Sequence, residues 1–382
     1  MISKIEQFIL LGLFLFCSQL SPAQKNEWAL NEKGIITFPP NANFQRIKEL
    51  KSADRTALNN TINQQFKIIS NSDFLNPPVG FNIKVASGIT PVSPFGNKER
   101  ITYYATFAMH CLQRDNNSGV IKPTYEYSSS IKINANDLEG FCFHTGYFYK
   151  ECERLKIPLF FQKFPVVSST EDYEEINFKQ YGFDHFYGDF PVRILKRNNK
   201  PVFIPYTRKE FFQFLIKYYQ DNLKRSEEIR DKSKKSYKDI KNYIADGKNP
   251  EAMREAYQKS MPNYENNITQ WNKNVDENRA LLKKTNDAIA DMTAEEAAQT
   301  TYIDMNKQGS FLEKLTQPGK LDGEPLYQIN PDYFDHKSTA SDVQLLVVTY
   351  EFHRSISSDF MKKRVTEIFN SIDFHQLKLS MK

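Results

Sequence analysis

Side chains able to do chemistry fall into three sets in this chain of 382 residues. The first comprises His110-Cys111, Cys142-Phe143-His144 and Cys152, since imidazole and thiolate are natural zinc ligands and can also pair as base and nucleophile. Their spacing matches no closed zinc site. His110 and Cys111 are neighbours on an alternating segment and so point to opposite faces. Cys142 and His144 share a face if extended, but no third residue is placed to orient the histidine. The second set is paired carboxylates: Glu151 with Glu153, Glu174 with Glu175, and Asp184 with Asp189. Such pairs perform glycoside hydrolysis, and they are equally common on surface loops. The third is the run Lys224, Arg225, Arg230, Lys232, Lys234, Lys235, Lys238 and Lys241, which suits docking on an acidic partner or forms a solvated helix face. No nucleophile elbow, phosphate-cradling loop, dinucleotide fingerprint or zinc-protease helix motif occurs. No catalytic residue is therefore assigned, no cofactor or metal is expected, and the balance leans away from an enzyme.

Where these residues work is set by the first 23 positions. Lys4 leads into the apolar run Phe8 to Cys17, followed by Pro22 and the small residues Ser21 and Ala23, which is the order of a secretory signal peptide. Ten apolar residues fall short of the roughly 20 a membrane span needs. The expectation is an exported protein, periplasmic or secreted, with no transmembrane anchor in the mature chain. Cys111, Cys142 and Cys152 then meet an oxidising compartment. Cys111 shares the apolar side of the alternating Ile101, Tyr103, Ala105, Phe107 and Met109, so Cys142 and Cys152 are the expected disulfide pair. The formal charge of +5 is a mild excess that fits anionic envelope partners and is no nucleic-acid signature.

The elements follow from periodicity. Leu58, Ile62, Phe66 and Ile69 predict a helix, which Asn76-Pro77-Pro78-Val79-Gly80 stops. Extended segments follow at 81–87, 101–112 and 125–135, the last two separated by the turn-rich 115–119. Residues 141–190 are dense in Phe and Tyr without a clean period; these rings either fill the core or stack on sugars. A β-hairpin is expected from 191–195 and 201–205 around Asn198-Asn199.

The strongest pattern is a helical hairpin. Thr207-Arg-Lys-Glu210 is a capping box, and the helix it opens carries Phe211, Leu215, Tyr218, Asn222, Ser226, Ile229, Ser233, Tyr237, Ile240 and Ile244 on one face. Gly247 ends it, and Asn249-Pro250 opens a second helix as cap and first residue. That helix repeats 4,3,4,3 through Tyr264, Ile268, Trp271, Val275, Asn278, Leu282, Thr285, Ile289 and Met292, a coiled-coil seam, with Pro262 expected to bend it or shorten its first turns. Counting from the turn sets Ile268 against Ile229 and Met253 against Ile244. Residues 207–246 carry 11 basic and 7 acidic side chains, and 248–300 carry 7 and 9, so the two helices attract. A second capping box at Thr293 to Glu296 returns the chain. The run Leu345 to Val348, apolar on both faces, predicts a central strand, and a closing helix is expected over 358–372.

The Asn76-Pro-Pro-Val-Gly-Phe81 turn, the Phe203-Ile-Pro-Tyr-Thr-Arg-Lys-Glu210 junction and Asn330-Pro-Asp-Tyr-Phe-Asp335 followed by Gln344-Leu-Leu resemble a group of uncharacterised bacterial exported proteins. That resemblance brings no activity and no site residue. The resulting expectation is an α+β protein. Its antiparallel-sheet body, with packed helices, is built from residues 24–206 and 301–382, and a long helical hairpin is inserted over 207–300. The favoured role is non-enzymatic binding or scaffolding through that arm, toward an envelope protein, an anionic polymer or a second copy. The alternative is a hydrolase or glycan-binding protein working through the aromatic-rich body.

Overall fold

The computed structural model describes residues 27–39, 51–89, 101–126, 128–137, 148–162, 166–179, 189–320, 323–335, 337, 339, 341–352 and 359–381. Residues 1–23, Cys142, His144, Asp184 and many rings of 141–190 lie outside the described residues. In chain order the elements begin with β1 (Glu27–Trp28), β2 (Ile36–Thr37), α1 (Ser52–Ser70), β3 (Phe81–Ile89), β4 (Tyr103–Arg114), β5 (Ile121–Pro123) and β6 (Ser129–Ala135). Next come α2 (Tyr149–Leu155), β7 (Phe160–Gln162), β8 (Val166–Ser169), β9 (Glu174–Lys179), β10 (Asp189–Lys196) and β11 (Phe203–Pro205). The arm is α3 (Arg208–Ala245) and α4 (Glu251–Ala290), followed by α5 (Ala294–Ala298), β12 (Tyr302–Ile303), β13 (Leu315–Thr316), β14 (Glu324–Ile329), β15 (Leu345–Phe352), α6 (Asp359–Ser371) and α7 (Phe374–Leu379).

The fold is α+β. Its main sheet runs β2-β3-β4-β6-β15-β10-β9-β8, with β1 and β5 on the far end of β4. Every pairing is antiparallel except β2 with β3, which makes the sheet mixed at that edge. β15 comes from near the end of the sequence yet lies between β6 and β10, so the C-terminal segment completes the sheet begun by the N-terminal one. Its unbroken apolar run is explained by burial on both faces. Leu346, Val348 and Tyr350 enter one core, with Phe107, Met109 and Ile133, under Leu58, Ile62 and Phe66 of α1 and Met361, Val365 and Phe369 of α6. Leu345 and Val347 enter a second core on the opposite face.

That second core is covered by a smaller sheet, β11-β14-β12-β13 with β7 beside β14, and by the root of the arm. It corrects one expectation. Residues 191–195 and 201–205 do not form a hairpin: β10 pairs with β9 and β15 in the main sheet, whereas β11 pairs with β14 in the small one. The physical reason is that both edges of β10 are already occupied, so the chain turns at Asn198, whose Oδ1 accepts the Lys200 amide, and crosses between layers. The closing helix buries Met361, Val365, Ile368 and Phe369, with Arg364 at the edge over the ring of Phe74.

Candidate functional site: the helical arm and its root

The arm leaves and re-enters the body at one point. Thr207 bridges Thr300, and the Arg208 amide donates to the Gln299 carbonyl. Both capping boxes are formed: the Glu210 amide donates to Thr207 Oγ1 at 3.3 Å while the Thr207 amide donates to Glu210 at 2.8 Å, and Thr293 with Glu296 repeats the arrangement. Each box satisfies helix-start amides that otherwise lack partners. At 38 and 40 residues the helices are about 60 Å long. α4 runs unbroken through Pro262. Asn249 does not cap it: the cap position is Pro250, and the Asn249 side chain donates to the Tyr243 carbonyl at 2.9 Å, tying the turn back to α3.

The two halves of the arm differ physically. At the root, Phe211, Phe214, Leu215 and Tyr219 are buried in the second core with Phe148, Cys152, Phe160 and Tyr206. Phe160 stacks on Tyr206 at 4.4 Å and meets Phe214 edge-on at 4.9 Å. Arg154 of α2 bridges Glu151 and Asp221 and lies over the Tyr218 ring. The root therefore belongs to the body's own core, although the chain connection at 207 and 300 is that of an insertion. Beyond Ser226 on α3 and before Val275 on α4, no residue is fully buried.

In that distal half the seam persists without closing. The half-buried positions of distal α3 include Arg230, Ser233, Tyr237, Ile240, Tyr243 and Ile244, and α4 answers with Tyr257, Tyr264, Ile268 and Trp271. Tyr237 donates to Glu265 at 2.6 Å and Tyr243 meets Tyr257 edge-on at 5.2 Å, while at the boundary with the root Arg279 pairs with Glu227 at 3.1 Å. These partners lie roughly one turn or more farther along α4 than a count of backbone levels from the turn gives. Part of the reason is that helical side chains lean toward their own N-terminus, which displaces contacts in an antiparallel pair. Ile229 is correspondingly outside the seam, 38% exposed, and Met253 is 47% exposed.

Of the predicted cationic residues, Lys224, Arg225, Lys232, Lys234, Lys235, Lys238 and Lys241 are exposed, and Arg230 is not. Arg230 is half-buried in place of the expected Ile229, with its guanidinium on Asp231 at 2.8 Å, an arrangement long charged side chains allow. That bond holds the Asp231 carboxyl below the usual carboxylate range, and the Glu265 carboxylate raises the Tyr237 phenol. α3 carries 11 basic and 6 acidic side chains, whereas α4 carries six of each. The arm thus has one strongly basic rod and one balanced one.

Most of the remaining sequence candidates that are described are held in structural roles, whereas Glu153 is exposed. Cys111 is buried in the first core, as its alternation predicts, bonded to Ser128 Oγ at 3.2 Å. His110 points away and bonds the Thr124 carbonyl at 3.0 Å. Cys152 is a free, buried thiol beneath the arm root, and burial pushes its pKa up to about 12; its expected partner Cys142 lies outside the described residues. Glu174 pairs with Lys196, and Glu175 with Arg193 at 2.7 Å. Glu151 is engaged by Arg154. Phe148, Phe160 and Phe161 fill the second core. No group of three or more potential metal ligands occurs among the described residues, and no described helix is long and apolar enough to cross a membrane. Sequence reasoning missed Arg193. It is buried among Tyr173, Phe369 and Phe374 at 4.4–4.6 Å and was hidden because its position alternates with apolar ones in a strand. Comparison with protein-family models, curated proteins and solved structures gives no match for this chain.

Proposed function

We propose that this is an exported, non-enzymatic binding or scaffolding protein whose distal arm docks on an acidic surface of an envelope protein. The observation that carries the reading is the contrast within the arm: a root locked into the core, and a distal half in which the seam stays half-buried. Two helices alone cannot enclose their apolar seam, and a third surface laid along them would. Exposed Ile229 and Met253 favour a protein partner with apolar as well as acidic groups over a polymer of charges alone. The excess of cations on α3 disfavours a second copy, since two such rods repel. Export rests on the order of charges and apolar residues over 1–23.

The test must spare the root. Deleting 208–299 would remove Phe211, Phe214, Leu215 and Tyr219 from the core, so the informative truncation replaces 230–272 with a Gly-Ser turn. We expect this variant to keep the full-length thermal stability of the body and to lose partner capture. Capture by the full chain should weaken steeply with salt. Unchanged capture by the truncated protein would reject the proposal, and so would a concentration-dependent dimer as the sole product.

A further inference from the structure

Where the two sheets diverge, we propose a second site, a cleft that binds one neutral sugar ring and is independent of the arm. The inward-facing positions of β10 run Val192, Ile194, Lys196, and those of β9 run Ile176, Glu174; the first members of each lie in the second core. Lys196 ends β10 and Glu174 begins β9, so the apolar register gives way to a charged pair where the two strands end, beside the small sheet. The gap encloses about 170 Å³ and is lined by Phe161, Ile176, Val202, Phe203 and Tyr327 besides the charged pair.

Its chemistry selects a ligand class. Lys196 and Glu174 bond each other, so the pair offers no net charge to attract an ion. An ammonium has three donors and a carboxylate about four acceptor sites, and one bond between them leaves most of these unspent. Vicinal hydroxyls, each donor and acceptor, match such a neutral pair; a simple anion or cation matches only half of it. Phe161, Phe203 and Tyr327 line the gap and Val166 is exposed at its mouth, so the C–H face of a sugar would lie against aromatic side chains. The volume is small beside the roughly 300–1,000 Å³ of sites for larger ligands, so one ring is accommodated and a chain of rings is not. The other charged strand pair, Arg193 with Glu175, faces the opposite core and is enclosed by aromatic rings, so it offers no such opening.

Ligand-observed NMR of the full chain with the methyl glycosides of glucose, galactose, mannose and N-acetylglucosamine tests this. We expect saturable binding of at least one, unchanged by deletion of 230–272, retained in Tyr327→Phe and weakened about tenfold in Tyr327→Ala, the loss of one stacking surface. The combined Lys196→Met and Glu174→Leu variant, which keeps the gap walls packed, should abolish binding and serves if Tyr327→Ala fails to fold. Binding of none of the four glycosides would overturn the proposal, as would binding indifferent to both variants or lost with the arm.

Discussion

At the scale of single residues, the body is held by a few positions with no slack. Arg193, surrounded by three rings, donates to Glu175 at 2.7 Å, Asn370 at 2.8 Å and the Phe369 carbonyl at 3.3 Å, joining α6 and the start of α7 to the main sheet. Arg193→Met strands Glu175 and should cost about 3 kcal/mol in urea unfolding. Adding Glu175→Leu should recover much of it, because a wholly apolar pair replaces a buried ionic one at little loss. Gly80 sits at φ +87°, where a Cβ would lie 2.7 Å from the Leu30 carbonyl oxygen, so Gly80→Ala should lower stability by at least ~2 kcal/mol. Cys152 gives a pH signature. Above about pH 9 its thiol ionises in the unfolded chain, while the folded one keeps its proton until about 12. The folded state then holds more protons, and stability falls as pH rises through that window, by up to ~1.4 kcal/mol per pH unit. Comparing the pH 9–11 slopes of the parent and Cys152→Ala isolates this contribution, and equal slopes would refute it. Cys111 was legible as core from alternation alone. Arg193 was not, because its partners come from residues 173–175 and 369–374, distant in sequence.

At the scale of elements, local signals carried far. The capping boxes fixed where α3 and α5 begin, and the 4,3,4,3 repeat of α4 fixed its inner face, because both depend on residues within one or two turns. What failed was non-local. The pairing of 191–195 with 201–205 depended on which edges of β10 were already taken by β9 and β15, and the offset of the arm helices depended in part on side-chain lean, which a count of backbone levels omits. The division of the arm into root and distal half was likewise invisible, since Leu215 and Ile244 look alike in a seam count but lie in different surroundings. This division predicts unequal costs. Leu215→Ala, in the core, should destabilise the protein by about 2–5 kcal/mol, whereas Ile244→Ala, in a half-open seam, should cost well under half as much in global unfolding. Similar values would mean that the distal half is as enclosed as the root.

For the molecule as a whole, a sheet completed by β15 between β6 and β10 gives the arm a rigid base. One end of the arm is fixed in the core and the other extends outward along two helices of about 60 Å. The central claim is that the distal half of this rod, with its basic α3, meets an acidic protein. The most direct measurement places a photoreactive amino acid at Lys238, on the exposed side of distal α3, or at Lys122, exposed on β5 of the body, and irradiates intact cells at matched expression. The account predicts a discrete crosslinked protein of acidic surface from position 238, diminished when Lys234, Lys235 and Lys241 are changed to glutamate, and none of that species from position 122. The same product from both positions, or a product from 238 that is indifferent to those charge reversals, would contradict it.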